Sequence, residues 1–317
     1  MSSEPGSADV LGPPYRSETF QLRPDDEGEV VATLVHRPSE FNNGRAVLHV
    51  HGFADYFFQT AAADFWVARG YDFYALDLRK YGRSLRPHQT PNYVADLKDY
   101  YEEIDLAFAR VRTNHDHVVI SAHSTGGLTM PLWAHDRQAP IAGMVLNAPW
   151  LVMHGDAFTR NLAMPVIQRL GAAQPKRLIP RTVSGLFARS IHRDHEGEWP
   201  FDLSWKPLHS WPVYAGWLRA IRKGQARVAD GLNISAPILM VSSAASTEPD
   251  SINDPAVFST DIVLDVEKMR ARAPFLGHHV TIVQIPGAMH DVTLSREPIR
   301  MKVFDEFARF LSAYVDR

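Results

Sequence analysis

Ser124 sits where an apolar strand should break into a helix. The β-branched run Val118, Val119 and Ile120 leads through Ser121, Ala122 and His123 to the serine. Thr125, Gly126 and Gly127 follow, and then a helix-compatible stretch over residues 128–133. A serine at such a strand–turn–helix junction is held in strained backbone with its hydroxyl above the strand ends, which is how a nucleophile elbow reads. Gly126 fills the last position of a G-x-S-x-G pattern. Ala122 stands at its first position, small like glycine but less tolerant of positive φ. The plainer reading is a small-residue turn that lets a helix pack close to its strand.

A serine hydroxyl is a weak nucleophile at its free pKa and needs a base within hydrogen-bond reach. His290, in the run Pro286-Gly287-Ala288-Met289-His290 after the last strand pattern, is the candidate. Other histidines have duller explanations: His115, His117, His278 and His279 flank strands, and His123 is expected to point away from its neighbouring serine. Upstream, an apolar strand over residues 46–50 ends in His51-Gly52-Phe53. Loop, serine, acid, then histidine is the chain order of α/β-hydrolases, unlike that of chymotrypsin or subtilisin.

The chain resembles α/β-hydrolases of the monoacylglycerol lipase, lysophospholipase and serine aminopeptidase group. The likeness rests on His51-Gly52-Phe53, on residues 76–84, on residues 122–127 and on Gly287-Ala288-Met289-His290, and it spans residues 18–316. It implies a mostly parallel sheet with helices on both faces and an inserted helical cap. Substrate is specified poorly, because this fold hosts many reactions.

A tetrahedral oxyanion needs two pre-placed donors. Thr125 offers a backbone N–H at a helix N-terminus, and the loop after the first parallel strand should supply the N–H of Phe53. Asp77, Arg79 and Ser84 read as structural braces. The resemblance places the acid after the strand that begins near Pro237, in a short Asp-x-x-x-Asp stretch entering a helix. Here a polar insertion over residues 242–260 intervenes before Asp261 and Asp265 restore that pattern. Asp261 is the expected orienting acid and Asp265 a helix cap, with Glu248, Asp250 and Asp254 as competitors.

Strand patterns fall at residues 18–23, 29–36, 45–50, 72–76, 117–122, 141–146, 237–242 and 279–285. Helical patterns fall at 58–69, 92–112, 125–136, 265–273 and 296–315. This alternation is the signature of a mainly parallel sheet. It divides the chain into a flexible N-terminal segment (1–17), a core (18–148 and 234–317) and a cap insertion (149–233). The insertion carries Trp199, Trp205, Trp211 and Trp217 with Phe158, Leu162, Met164, Val166 and Leu186, which together suggest an apolar roof over Ser124. For each tryptophan alone, packing of a small subdomain is the plainer expectation. The stretch His192-Arg193-Asp194-His195-Glu196 matches no zinc-hydrolase spacing and reads as a solvated loop.

Composition narrows the function class. The 317 residues are 45% hydrophobic, ample for a large core, and the net charge of −3 makes no electrostatic case for nucleic acid or an anionic membrane. Cysteine is absent, which excludes disulfides and thiolate metal sites. The N-terminus lacks an apolar signal region and no apolar run approaches a bilayer span, so a cytoplasmic location is expected. Neither cofactor nor metal is expected, and the partner is a small-molecule ester. Two alternatives remain. An aminopeptidase or amidase would need an acidic cap group for a substrate ammonium, for which Asp156, Asp194, Glu196, Glu198 and Asp202 are available. A non-catalytic binding protein would keep the pocket alone.

Overall fold

Strands apolar on both faces must be covered on both sides, and parallel pairing with crossover helices does this. The computed structural model describes residues 6–41, 43–153, 164–180 and 183–316, without the side chains of residues 164–168. Among these, nine strands form one sheet: β1 (Ser7–Ala8), β2 (Arg16–Asp25), β3 (Gly28–Arg37), β4 (Arg45–Val50), β5 (Asp72–Asp77), β6 (His117–His123), β7 (Gly143–Asn147), β8 (Ile238–Ser243) and β9 (Val280–Ile285). Their order is β1-β2-β3-β5-β4-β6-β7-β8-β9. Pairing is antiparallel from β1 to β5 and parallel from β5 to β9. This is the α/β-hydrolase architecture. The order reverses direction around β4, so the carboxyl ends of β4 and β6 meet at a switch point where such sheets bind ligands.

The alternation of side chains sorts the core into two layers. Val47, Val119, Val145 and Leu239 face α1 (Thr60–Ala68), where they pack with Trp66, and a C-terminal helix Glu297–Phe310. Leu48, Ile120, Leu146 and Met240 face the other layer, with α2 (Tyr101–Arg112) and α3 (Gly126–Arg137). Between β7 and β8 run α4 (Met164–Ala173), α5 (Leu186–Ile191) and α6 (Ala215–Ala229). Helix α6 packs on both α4 and α3, and Trp217 and Ile221 join the second layer. Two helices follow β8: α7 (Val266–Arg272) before β9, and α8, the C-terminal helix already given. Among the described residues, no helix is long and apolar enough to cross a membrane.

Two expectations need correction. The helix expected over residues 92–112 begins only at Tyr101, after a short 3₁₀ turn, Leu97–Tyr100, capped by Asp96. Asn92 sits at φ 59° with its amide donating to the Lys80 carbonyl, and Asp96 is extended at φ −143°, so the chain leaves helical space twice before Leu97. The N-terminal segment, expected to be flexible, is tied down where it is described. Ser7–Ala8 pairs with β2, and buried Asp9 accepts from Arg83 at 2.7 and 2.8 Å.

Buried charges brace the loops. Glu103 is fully buried on α2 and grips Arg79 through Nε at 2.9 Å and an Nη at 2.6 Å. Burial pushes the Glu103 carboxyl up, and Arg79 only partly offsets this. Breaking one partner of such a pair costs more than replacing both. Arg79→Met is therefore expected to destabilise the fold by about 3–5 kcal/mol in urea denaturation, and the double change Arg79→Met with Glu103→Leu by far less. A double variant as unstable as the single one would contradict this account.

Candidate active site

The turn after β6 is tight because three backbones converge on it. Ser124 has φ 51°, a left-handed conformation that is rare without glycine and marks a strained position. Its N–H donates to the Asn147 carbonyl at 3.0 Å, and its own carbonyl accepts from Trp150 at 2.9 Å. A methyl group at Gly126 would lie 2.4 Å from the His51 carbonyl oxygen and 2.6 Å from that of Val50. Glycine is therefore demanded there by the close approach of α3 to the end of β4. Ala122 escapes the demand because it is still in the strand, paired with Val50 and Leu146, at no positive φ. This accounts for the departure from G-x-S-x-G.

The structure brings Ser124, His290 and Asp261 into one hydrogen-bonded line. His290 Nε2 lies 3.2 Å from Ser124 Oγ, and Nδ1 lies 2.8 Å from Asp261 Oδ2. All three are buried. The carboxylate can only accept, so Nδ1 carries the proton and Nε2 is left to accept from the serine hydroxyl. Asp261 Oδ1 in turn accepts from the N–H groups of Val263 and Leu264, both at 2.8 Å, which fixes the carboxylate. The polar insertion closes on itself to deliver this residue. Asp261 donates its N–H to Ala245 and accepts from Thr247, so the chain leaves β8 and returns to the same place. Glu248, Asp250 and Asp254 are exposed, and Asp254 caps a 3₁₀ turn. Asp265 caps α7 through Lys268 N–H.

The loop after β4 has several of its amides held by side chains. Leu78 N–H donates to His51 Nε2 at 3.1 Å, so the His51 proton is on Nδ1, which donates to the Gly52 carbonyl at 2.8 Å. That bond sets the Gly52–Phe53 peptide plane and turns the Phe53 N–H the other way. Gly52 N–H reaches Asp55, and Ala54 N–H donates to Asn92 Oδ1 at 3.0 Å. The N–H groups of Phe53 and Thr125 donate to no acceptor among the described residues. An oxyanion beside Ser124 could take both.

A family model described as serine aminopeptidase, S33, matches residues 42–297. The chain belongs to this family of α/β-hydrolases. It is 25% identical over 247 residues to the uncharacterized protein YnbC of Escherichia coli K12, a match covering 76% of this chain but only 37% of that protein. Solved structures share the fold at low identity. A monoglyceride lipase from Saccharomyces cerevisiae superposes with a TM-score of 0.66 at 17% identity, covering 94% of this chain and 96% of the other. A monoacylglycerol lipase from Paleococcus ferrophilus gives 0.64 at 17%, covering 94% and 99%. A carboxyl esterase from Bacillus coagulans gives 0.66 at 15%, again covering 94% and 99%.

A cavity of about 520 Å³ opens over Ser124 and His290. Its wall is mainly apolar, with Phe53, Trp150, Phe187, Leu208, Trp217 and Val263 prominent. The expected tryptophan roof is corrected: of the four, only Trp217 lines the cavity, its ring tilted 38° to that of Phe53 with centres 4.3 Å apart. Trp199 instead donates to the Leu294 carbonyl, and Trp211 to that of Trp205. Leu186 is buried away from the cavity; Asp156, Phe158 and Leu162, and the side chains of Met164 and Val166, lie outside the described residues. Trp150 and Phe187 carried no sequence signal, since neither falls in a periodic stretch. His192 bonds within its own loop, Nδ1 accepting from Asp194 N–H and Nε2 facing the Phe201 carbonyl.

Asn147 was also missed. Its carbonyl holds Ser124 N–H, its Oδ1 accepts from Val292, and its Nδ2 donates to Asp291 at 2.6 Å. One residue at the end of β7 thus ties the serine turn to the histidine loop. Burial raises the Asp291 carboxyl, but His123 and the Thr293 and Asn147 donors outweigh it, leaving it below the ordinary range. His123 packs 4.9 Å from the His290 ring and donates to the Asn147 carbonyl. Because the atoms facing Gly126 are backbone, they cannot move aside. Gly126→Ala should cost at least about 2 kcal/mol in thermal unfolding, whereas Ala122→Gly should leave the Ser124 turn intact. An unchanged melting temperature for Gly126→Ala would refute the close approach.

Proposed function

We propose that this α/β-hydrolase cleaves carboxylic esters with an apolar acyl group through an acyl-enzyme on Ser124. The observation that carries the reading is the unbroken line from Asp261 through His290 to Ser124 Oγ at the floor of an apolar cavity. Ser124 attacks the acyl carbon while His290 Nε2 takes its proton. The negative carbonyl oxygen is held by the N–H groups of Phe53 and Thr125, the latter at the start of α3 where the helix dipole also favours an anion. His290 then returns the proton to the departing alcohol, and water repeats the sequence to release the acid. Asp261 holds the imidazole in the required tautomer and stabilises its cationic form. Residues 149–233 are the cap that encloses the acyl group over a core of residues 18–148 and 234–317.

Charge in the cavity favours an ester over an aminoacyl amide. An aminopeptidase needs a free carboxylate to hold the substrate ammonium. Among the described residues lining the cavity the one carboxylate is Asp55, and it is already paired with Lys206 at 3.1 Å. Glu196 and Glu198 are engaged by Arg189 and Arg296, and Asp202 caps Ser204 N–H.

Labelling with a fluorophosphonate tests the assignment and separates an enzyme from a binding protein. Wild type should be labelled at Ser124 and Ser124→Ala should not. Asp261→Asn should lower kcat by about 10³–10⁴-fold, since the imidazole loses its orienting partner, while Asp254→Asn stays near wild type. Equal labelling of wild type and Ser124→Ala would sink the proposal. An inactive Asp254→Asn beside an active Asp261→Asn would move the acid into the insertion.

Substrate preference follows from the apolar lining. Each methylene buried contributes up to about 0.8 kcal/mol, or roughly fourfold in kcat/KM, until the cavity is full. Short-to-medium p-nitrophenyl or monoglyceride esters should therefore outrun acetate, and aminoacyl p-nitroanilides should be poor substrates. Preference for the anilides would favour the aminopeptidase reading instead.

A further inference from the structure

The turn at residues 202–206 grips the loop that carries Phe53. Lys206 projects from it with its ammonium buried, donating to the Ala54 carbonyl at 3.2 Å and to Asp55 Oδ1 at 3.1 Å. The same turn is tied to the loop at its start: Asp202 N–H donates to the Tyr56 hydroxyl at 2.6 Å. Trp205 stands edge-on to Tyr56, 5.1 Å between ring centres. The rings of Phe58, Phe187 and Phe201 surround the Lys206 ammonium at 5.7–5.9 Å. Burial pushes the Asp55 carboxyl up, yet Lys206, His123 and His51 hold it at about 2.

A buried ion pair is a poor device for stability alone, since an apolar pair of similar volume does as well or better. What this pair adds is geometry. Ala54 sits at φ 48°, a strained conformation for a residue with a side chain, and its peptide groups are pinned from both directions. Asn92 takes its N–H and Lys206 holds its carbonyl. Asp55, seated by Lys206, also takes the Gly52 N–H. Phe53 lies between these two clamped residues.

We propose that Lys206 is a positioning residue that fixes the Gly52–Asp55 loop and so the aim of the Phe53 N–H. Seating of the 202–206 turn and formation of the oxyanion site are then one event. The inference rests on the esterase reading for its catalytic consequence, but its structural half can be measured without turnover.

The test compares wild type, Lys206→Met, and Asp55→Asn with Lys206→Met. The single change keeps the apolar stem but strands a buried carboxylate; the double change removes that charge and serves if the single variant fails to fold. Both leave the Ala54 carbonyl unheld. With p-nitrophenyl butyrate, kcat should fall about 10-fold or more while KM stays within about twofold. A trifluoromethyl ketone, which mimics the oxyanion adduct, should lose affinity by the same factor as kcat/KM, and amide hydrogen exchange over residues 52–58 should quicken. Folded variants with unchanged kcat and unchanged exchange would overturn the proposal. So would a loss confined to KM that varied with the leaving group, which would make Lys206 a substrate contact. If wild type proved inert to every ester and to the fluorophosphonate, the esterase reading would fall, and the exchange comparison would still decide whether Lys206 holds the loop.

Discussion

The left-handed backbone at Ser124 is the constraint around which the site is arranged. A residue with a side chain holds φ 51° only if its surroundings over-determine it. Here the Asn147 carbonyl holds the serine N–H, Trp150 N–H holds its carbonyl, and the missing side chain at Gly126 lets α3 close against the end of β4. These partners come from the ends of two other strands, Asn147 and Trp150 from β7 and the carbonyls facing Gly126 from β4, so the turn can be tight only after β4, β6 and β7 have paired. The strain is local, but the structure that sustains it is the parallel sheet.

That dependence explains what was legible in the sequence. Ser124, His290, Phe53 and Thr125 stand at junctions between periodic segments, where small residues or a change of pattern mark a turn, whereas Asp261 was placed by the family resemblance among competing acids. The α/β architecture was legible for the same reason. The residues that hold those five in place carry no such mark. Asn147 ends an apolar strand like any polar terminator, and Asn92 lay inside what read as an amphipathic helix. Lys206 is a lone cation in a mixed segment. Their roles depend on contacts 12 to 152 residues apart along the chain, which periodicity does not encode. The cavity lining failed for a related reason: four tryptophans share a segment, but three point their bulk into packing against Tyr56, Leu294 or one another.

Electrostatics around the serine divides into two compartments. Beneath it, His49, His51, His123, Asp55 and Asp291 form a buried polar layer. His49 is pushed down to about 4 by burial, against the opposing pull of Asp291, so at neutral pH it adds no positive charge. Above it, the cavity wall is mainly apolar. A substrate therefore meets a face that rewards apolar area and a floor whose charges are already satisfied. On the esterase reading, such a site would discriminate by how much surface a substrate buries and would give an exposed ammonium nothing to bind.

Hydrogen-bond accounting carries the argument one step further. Buried backbone donors are nearly always paired, because an unpaired one costs about 1–3 kcal/mol. Around Ser124, the N–H groups of Gly52, Ala54, Phe57, Leu78, Ser124, Trp150, Val263, Leu264 and Val292 have partners in the protein. Phe53 and Thr125 are not in that set, and both lie beside Ser124, whose hydroxyl is held by a histidine–carboxylate pair. Their neighbours are clamped in ways that keep them unpaired, His51 fixing the peptide plane before Phe53 and Asn92 fixing the next. A ligand oxygen beside Ser124 is a natural acceptor for these two donors, and on the esterase reading that oxygen becomes negative during acyl transfer.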